Sequence, residues 1–179
     1  MVREISAGGV VLREISGVWH VALIEPQRES SPTEIPATAK SPRKRVTAVL
    51  ALPKGLVDPG ETAPVTAVRE VLEETGIVAE LIVKLADTRY VYVRKWGDGS
   101  RVFKIVTFYL LRYTAGEIDD VTDAMRVEVK RALWIPLLEA SRHLMYGNER
   151  KVLRMAQDYL AARSLAPENS VPTSKPKPK

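Results

Sequence analysis

The sequence predicts a mixed α/β sandwich, of the α+β kind, and three observations support this fold class. Alternating apolar runs bounded by turn residues indicate several strands. Amphipathic segments with start and stop residues indicate a few helices. The strands are flanked by these helices along the chain, which favours a layered arrangement. The 179 residues suffice for one domain with a substantial core.

The individual elements follow from hydrophobic period and turn chemistry. A turn at Gly17 joins the first two strands, and Trp96 to Gly99 predicts a hairpin through its Asp-Gly pair. A loop is expected over 116–128. We expect strands over 5–15, 18–25, 46–52, 78–93 (one strand or two), 101–113 and 129–135, and helices over 62–75, 136–145 and 148–162.

The net charge of +5 resides in two segments that are rich in Pro, Ser and Thr. Residues 26–45 hold five basic against two acidic residues, and residues 163–179 hold four against one. Their composition predicts a flexible insert at 26–45 and a disordered basic tail at 164–179, outside a single domain at 1–163. Because the basic excess lies outside the folded part, no stable nucleic-acid partner is expected.

Composition excludes several classes of protein. The chain has no cysteine, which removes disulfides and thiol catalysis. No apolar run approaches the roughly 20 residues that span a bilayer, so no membrane partner is expected. The N-terminal residues predict a first strand and lack a signal-peptide pattern, so the expected location is cytoplasmic. The oligomeric state stays open between monomer and homodimer.

The segment 55–77, GLVDPGETAPVTAVREVLEETGI, carries the chemistry. It places Glu61, Glu70, Glu73 and Glu74 around Arg69 at fixed spacing. So many carboxylates repel one another unless cations neutralise them. A glutamate run is usually a solvated helix face. Here a divalent-metal site acting on phosphates explains the spacing better.

Helical geometry supports this interpretation. At about 100° per residue, Glu70 and Glu74 point the same way and Glu73 lies on the adjacent flank. Thr62 is a candidate N-cap, and Gly76 suits a left-handed C-cap. The opposite face carries apolar residues expected to pack against a sheet, namely Ala67, Val68, Val71 and Leu72.

The segment resembles the Nudix box, and the resemblance to Nudix hydrolases covers about residues 3–160. The matching positions are Gly55, Glu61, Arg69, Glu70, Val71, Glu73, Glu74, Gly76 and Ile77. Outside the box, residues 7–11, 88–90 and 147–153 resemble MutT-type and diadenosine polyphosphate hydrolases. The resemblance implies a mixed sheet between helices and Mg²⁺ as cofactor, which Mn²⁺ can replace.

The expected metal ligands are Glu70 and Glu74, then Glu73, and the resemblance adds the Gly55 carbonyl. Arg69 is expected to hold Glu61 or Glu73 by a bidentate bond. The resemblance suggests Glu128, just before a strand, as general base. A box glutamate such as Glu73 or Glu74 is the alternative.

Four residues are candidates for substrate binding. Lys54 could contact a phosphate, or it could be a solvated loop lysine. Arg45, in a basic run before the box, could steer a polyanion. Tyr90 and Tyr92 could offer an aromatic face to a purine, although aromatic residues at strand spacing are more often core.

These assignments predict Mg²⁺-dependent hydrolysis of a phosphoanhydride bond in a nucleoside diphosphate linked to another moiety. Diadenosine polyphosphates are the first expected substrates. Oxidised purine triphosphates such as 8-oxo-dGTP are the alternative. A third possibility, from another class, is a nucleotide-binding module without catalysis, which the intact box disfavours.

Overall fold

The computed structural model of the protein describes residues 2–27, 49–93 and 99–165. It contains a six-stranded mixed sheet and helices on both of its faces. The elements are β1 (Val2–Ile15), β2 (Val18–Pro26), β3 (Lys54–Leu56), α1 (Ala63–Thr75), β4 (Ile77–Val93), β5 (Arg101–Gly116), β6 (Val129–Pro136), α2 (Leu137–Ala140) and α3 (Gly147–Leu165). A short 3₁₀ turn, Met125–Val127, precedes β6.

Strand β1 is central to the sheet, whose order is β4-β5-β1-β2-β6. It pairs in parallel with β5, while its other neighbours, β2 and β3, are antiparallel to it. The β1 segment Ser6–Gly8 pairs with β3, which brings the loop before α1 against the middle of the sheet. A side chain at position 8 would overlap Pro53 and Lys54, so this approach requires glycine.

The core has two layers because side chains alternate across the strands. Val10 and Leu12 of β1 face the layer beneath α3, which also contains Val152 and Leu153 of that helix. Ala7 and Val11 face the opposite layer, where the buried α1 side chains pack. The sheet is therefore sandwiched between α1 on one face and α3 on the other, as the sequence predicted.

Helix α1 matches its predicted bounds with two local differences. Gly76 adopts the expected left-handed conformation at φ 78° and ends the helix. Thr62 is the N-cap residue, but its side chain makes no capping hydrogen bond to any described residue. Ala67 and Val71 are fully buried, whereas Leu72 is 48% exposed, so its predicted packing against the sheet is wrong.

Two predicted elements differ from the structure. Of the strand predicted at 46–52, residues 46–48 lie outside the described residues, and Leu50 and Ala51 form only isolated bridges. The helix predicted at 136–145 is only the single turn α2. The N–H of Leu50 donates to the His143 carbonyl, and the carbonyl of Leu50 accepts a bond from the Met145 N–H. Residues 141–143 after α2 form turns, and Leu144 then makes a single parallel bridge with Leu50.

Three predicted segments lie partly or wholly outside the described residues. Pro26 belongs to β2, and the rest of the predicted insert beyond Gln27 lies outside them. The predicted hairpin residues 96–98 also lie outside, although the flanking strands β4 and β5 do pair. Helix α3 runs to Leu165, two residues past the expected domain boundary, and the predicted tail from 166 onward lies outside.

Candidate active site

Helix α1 presses two glutamates against the loop that precedes it. Glu74 Oε2 accepts a 2.7 Å hydrogen bond from the backbone N–H of Lys54. A Cβ atom at position 55 would overlap the carboxylate of Glu70, so only glycine lets the loop lie this close to the helix. Glu70 and Glu74 are 8% and 6% exposed, whereas Glu73 is exposed.

Arg69 ties the acidic residues together. Its Nε and Nη2 each lie 2.9 Å from the carboxylate oxygens of Glu61, which makes a bidentate bond. Nη1 donates to Glu70 at 2.8 Å and to Glu73 at 2.9 Å, and Nη2 donates to the carbonyl of Leu56. The guanidinium thus joins three carboxylates to the loop that begins with β3.

The pKa values of these carboxylates shift in opposite directions. Hydrogen bonds from Arg69, and then from the Thr66 hydroxyl, lower the pKa of Glu61 to about 2. Burial raises the pKa of Glu74 to about 8 against the charge of Lys54, and burial also raises the pKa of Glu70. An incoming cation would relieve the cost of keeping Glu70 and Glu74 charged.

The donor set fits a divalent cation in its chemistry. Three glutamate carboxylates and a glycine carbonyl are hard oxygen donors of the kind that Mg²⁺ accepts. In the described part of the chain, however, no three acidic or histidine side chains converge closely enough to hold an ion. Glu70 and Glu73 each bond Arg69 Nη1 through one oxygen, and Glu74 bonds the Lys54 N–H through one oxygen.

A cavity of about 540 Å³ adjoins this cluster, and Lys54 belongs to both. Tyr90 and Tyr92 lie in its wall with their rings 6.3 Å apart, and Tyr146 lies opposite the Lys54 ammonium. The cavity therefore combines aromatic faces with cationic side chains. Its lining is completed by Thr88, Arg89, Lys104, Val106, Phe108, Gly147, Asn148 and Glu149.

Glu149 lies in the segment 147–153 whose resemblance the sequence showed, but the sequence assigned it no role. It lies in the first turn of α3 and is 1% exposed. Its Oε1 lies 2.9 Å from Lys54 Nζ, and its Oε2 accepts a 3.0 Å bond from Leu52 N–H. Burial lowers the pKa of Lys54, but the charges of Glu149 and Glu74 outweigh it and leave that pKa raised. An acidic residue near a helix start ordinarily indicates only a favourable helix dipole, so the sequence offered no specific signal.

Glu128 lies at the end of the 3₁₀ turn, and its carbonyl accepts a 2.7 Å bond from Gln27 N–H. Its negative charge contributes to the raised pKa values of Glu70 and Glu74, which places it within electrostatic reach of both. The loop that carries it is fastened to α1, because Asp119 N–H donates to the Thr75 carbonyl. Arg45 lies outside the described residues.

The sequence profile of the NUDIX domain matches residues 17–156, which is most of the chain. The protein belongs to the Nudix hydrolase family. Members of this family generally use divalent metal ions. Among the described residues, none of the helices combines the length and the apolar composition that a membrane span requires.

Two curated relatives place this Nudix protein near MutT-type sequences. It is 35% identical over 159 residues to a Mycobacterium tuberculosis protein named MutT4, covering 89% of this chain and 56% of that one. It is 38% identical over 103 residues to the 8-oxo-(d)GTP phosphatase of Mycolicibacterium smegmatis, covering 58% of this chain and 28% of the relative. The chain thus spans only about half, or less, of these relatives.

A solved structure confirms the Nudix fold. A C. elegans Ap4A hydrolase binary complex superposes with a TM-score of 0.60 at 23% identity, covering 89% of this chain and 98% of that one. Identity at this level supports the fold alone, and the substrate of this Nudix protein has to be argued from its own residues.

Proposed function

We propose that this Nudix protein hydrolyses a phosphoanhydride bond in a nucleoside phosphate, with Mg²⁺ as its cofactor and Mn²⁺ as a substitute. One observation carries the proposal: the buried pair Glu70 and Glu74 lies against the glycine of a tight loop, beside a cavity lined by cations and tyrosines. Buried carboxylates that lack full compensation are characteristic of catalytic and metal sites.

In this proposal Glu70, Glu73 and Glu74 hold the metal, together with the carbonyl of Gly55. When bound there, a divalent metal would neutralise phosphoryl oxygens and lower the pKa of a water molecule. Arg69 fixes the carboxylates through its bonds to Glu61, Glu70 and Glu73. Glu70 and Glu73 each accept the Arg69 Nη1 bond on one oxygen, so the other oxygen of each carboxylate would serve the metal while Arg69 keeps its hold.

Glu128 is the proposed general base, because it lies within electrostatic reach of the two buried glutamates. Lys54 contributes a positive charge to the substrate phosphates from the boundary between the carboxylates and the cavity. Tyr90 and Tyr92 provide the aromatic surface for a base. Arg45 is proposed to attract polyanionic substrates from outside the described residues.

The first substrate class is the dinucleoside polyphosphates, of which diadenosine tetraphosphate is the simplest probe. Three cations, Lys54, Arg89 and Lys104, line the cavity, which suits a substrate with several phosphates. Oxidised purine triphosphates are the second candidate, since one relative carries the name 8-oxo-(d)GTP phosphatase. Both candidates involve the same cleavage chemistry and differ in what lies beyond the attacked phosphate.

A panel of nucleotides tests the proposal. The kcat/KM values for diadenosine tetraphosphate and 8-oxo-dGTP are measured side by side, with products identified by mass in ¹⁸O-labelled water. We expect turnover that stops with a chelator and returns with Mg²⁺, and label in one identified phosphate product. Binding of these nucleotides without any phosphate release would instead support a non-catalytic module.

A further inference from the structure

Lys54 makes two contacts that point in different directions. Its backbone N–H donates to Glu74 in the carboxylate cluster, and its ammonium lies 2.9 Å from Glu149 Oε1 at the cavity. The side chain of Lys54 is only 17% exposed. The backbone of Lys54 is thus held by the carboxylate cluster, and its side chain is held separately at the cavity.

The two carboxylate oxygens of Glu149 contact this loop at two different residues. While Oε1 faces the Lys54 ammonium, Oε2 accepts the N–H of Leu52, two residues earlier. The charged partner of Oε1 is the Lys54 ammonium at 2.9 Å. A glutamine at position 149 could still accept the Leu52 N–H, so the negative charge itself is directed at Lys54.

Stability alone is a poor explanation for this pair. Both ions lose hydration on burial, and a buried ion pair is often no more stabilising than apolar residues of the same size. The ammonium also has a second acceptor, the Leu52 carbonyl at 3.3 Å, so Glu149 is not needed merely to satisfy a proton. The pair lies in the cavity wall next to Tyr146, where a substrate phosphate would meet it.

We infer that Glu149 is a positioning residue for substrate binding, holding the Lys54 ammonium at the boundary between the cavity and the metal site. The inference deepens the proposed function and rests on it. Glu149 acts through Lys54, so its removal should weaken substrate binding only while the lysine is present. Turnover of bound substrate should change little, because the Lys54 N–H bond to Glu74 comes from the backbone.

A double-mutant cycle tests this inference on the full chain. Its members are Glu149→Gln, Lys54→Met and the variant with both changes, which leaves neither charge buried without its partner. KM and kcat for the best panel substrate are measured for each, with urea unfolding to confirm folding. Glu139→Gln, at an exposed position of α2, controls for the loss of one negative charge.

In the Lys54 background we expect Glu149→Gln to raise KM about 10- to 100-fold, as for one partner of a buried charge pair, with kcat nearly unchanged. In the Lys54→Met background the same change should alter KM less than about twofold, the behaviour of coupled residues. Equal factors in both backgrounds, or a fall confined to kcat, would overturn the inference while leaving the proposed function intact. Absence of turnover by the wild-type protein would overturn the proposed function and this inference with it.

Discussion

Lys54 and Glu74, 20 residues apart in the sequence, are joined by a hydrogen bond of 2.7 Å from the lysine N–H to the glutamate Oε2. The donor is backbone, so the link survives every substitution at position 54 except proline. It sets the loop against α1 at the point where Gly55 meets Glu70. The fold itself thus holds Glu70 and Glu74 against the loop.

Glu74→Gln should separate activity from stability. The amide keeps an oxygen for the Lys54 N–H but cannot carry the charge that a cation requires. We expect kcat/KM to fall about a hundredfold or more with the metal in excess. The melting temperature of the metal-free variant should equal or exceed that of the wild type, because burial disfavours the charged carboxylate.

Kinetics and thermal unfolding of the same preparation check this pair of expectations. Glu117→Gln, at an exposed position, is the matched control and should leave both properties unchanged. Wild-type turnover by Glu74→Gln would remove Glu74 from the site.

Gly55→Ala should damage the site without unfolding the protein. The added methyl group would occupy the position of the Glu70 carboxylate, which must then move. A displacement of about 1 Å in a catalytic group can reduce the rate about a hundredfold, and we expect a loss of that order in kcat.

Gly60→Ala is the control for the Gly55 substitution. Gly60 lies in the same loop at φ 88°, and an added Cβ there meets no described atom within 4 Å. The control should lose about 1 kcal/mol of unfolding free energy to backbone strain and keep its kcat. Equal kcat losses in both variants would show that loop strain, and not contact with Glu70, limits activity.

The predictions from the sequence succeeded where the interactions are local. Glu70 and Glu74 share one side of α1 because the helix has 3.6 residues per turn. The helix ends at Gly76 because this residue adopts the left-handed conformation. The alternation that separates the two core layers is equally local, since it follows from the period of a strand.

Features that depend on distant partners could not be predicted. Leu50 and Leu144 form a bridge although they are far apart in the sequence, in a region where a longer helix had been predicted. The role of Arg69 was open between Glu61 and Glu73, and the structure gives it contacts with both. Glu149 lies 97 positions from Leu52, so its place beneath the loop follows only from packing of α3 on the sheet.

Arg69→Lys should reduce activity although the substitution keeps the positive charge. A lysine ammonium cannot reproduce the planar pair of bonds to Glu61 while also reaching Glu70 and Glu73. We expect kcat/KM to fall about 10- to 100-fold, as for residues that orient metal ligands. Titration of activity with Mg²⁺ should show a higher concentration for half-maximal rate.

Arg112→Lys is the matched control for Arg69→Lys. Arg112 is 65% exposed and contacts one carboxylate, that of Glu80, so its replacement should cost nothing measurable in activity. An Arg69→Lys variant with unchanged metal dependence would show that the carboxylates keep their positions without the guanidinium.

Asp119 should make the stability of the Glu128 loop depend on pH. Hydrogen bonds from Arg126, then from Ala132 N–H, hold the pKa of Asp119 below its usual value. A lowered folded-state pKa contributes stability that is present above the unfolded pKa of about 3.9 and is lost as the pH falls through the folded value. Because the side chain is 38% exposed, solvent screening limits this contribution to less than about 1 kcal/mol.

Asp119→Asn isolates this contribution. Asparagine tolerates the left-handed backbone at φ 74° and keeps an acceptor oxygen, so the substitution removes mainly the charge. Urea unfolding should show the variant less stable than the wild type at pH 7, with the difference shrinking by pH 3. The exposed Asp120→Asn should show no such convergence. A difference that stays constant between the two pH values would mean that the Asp119 charge does not fasten this loop to Arg126.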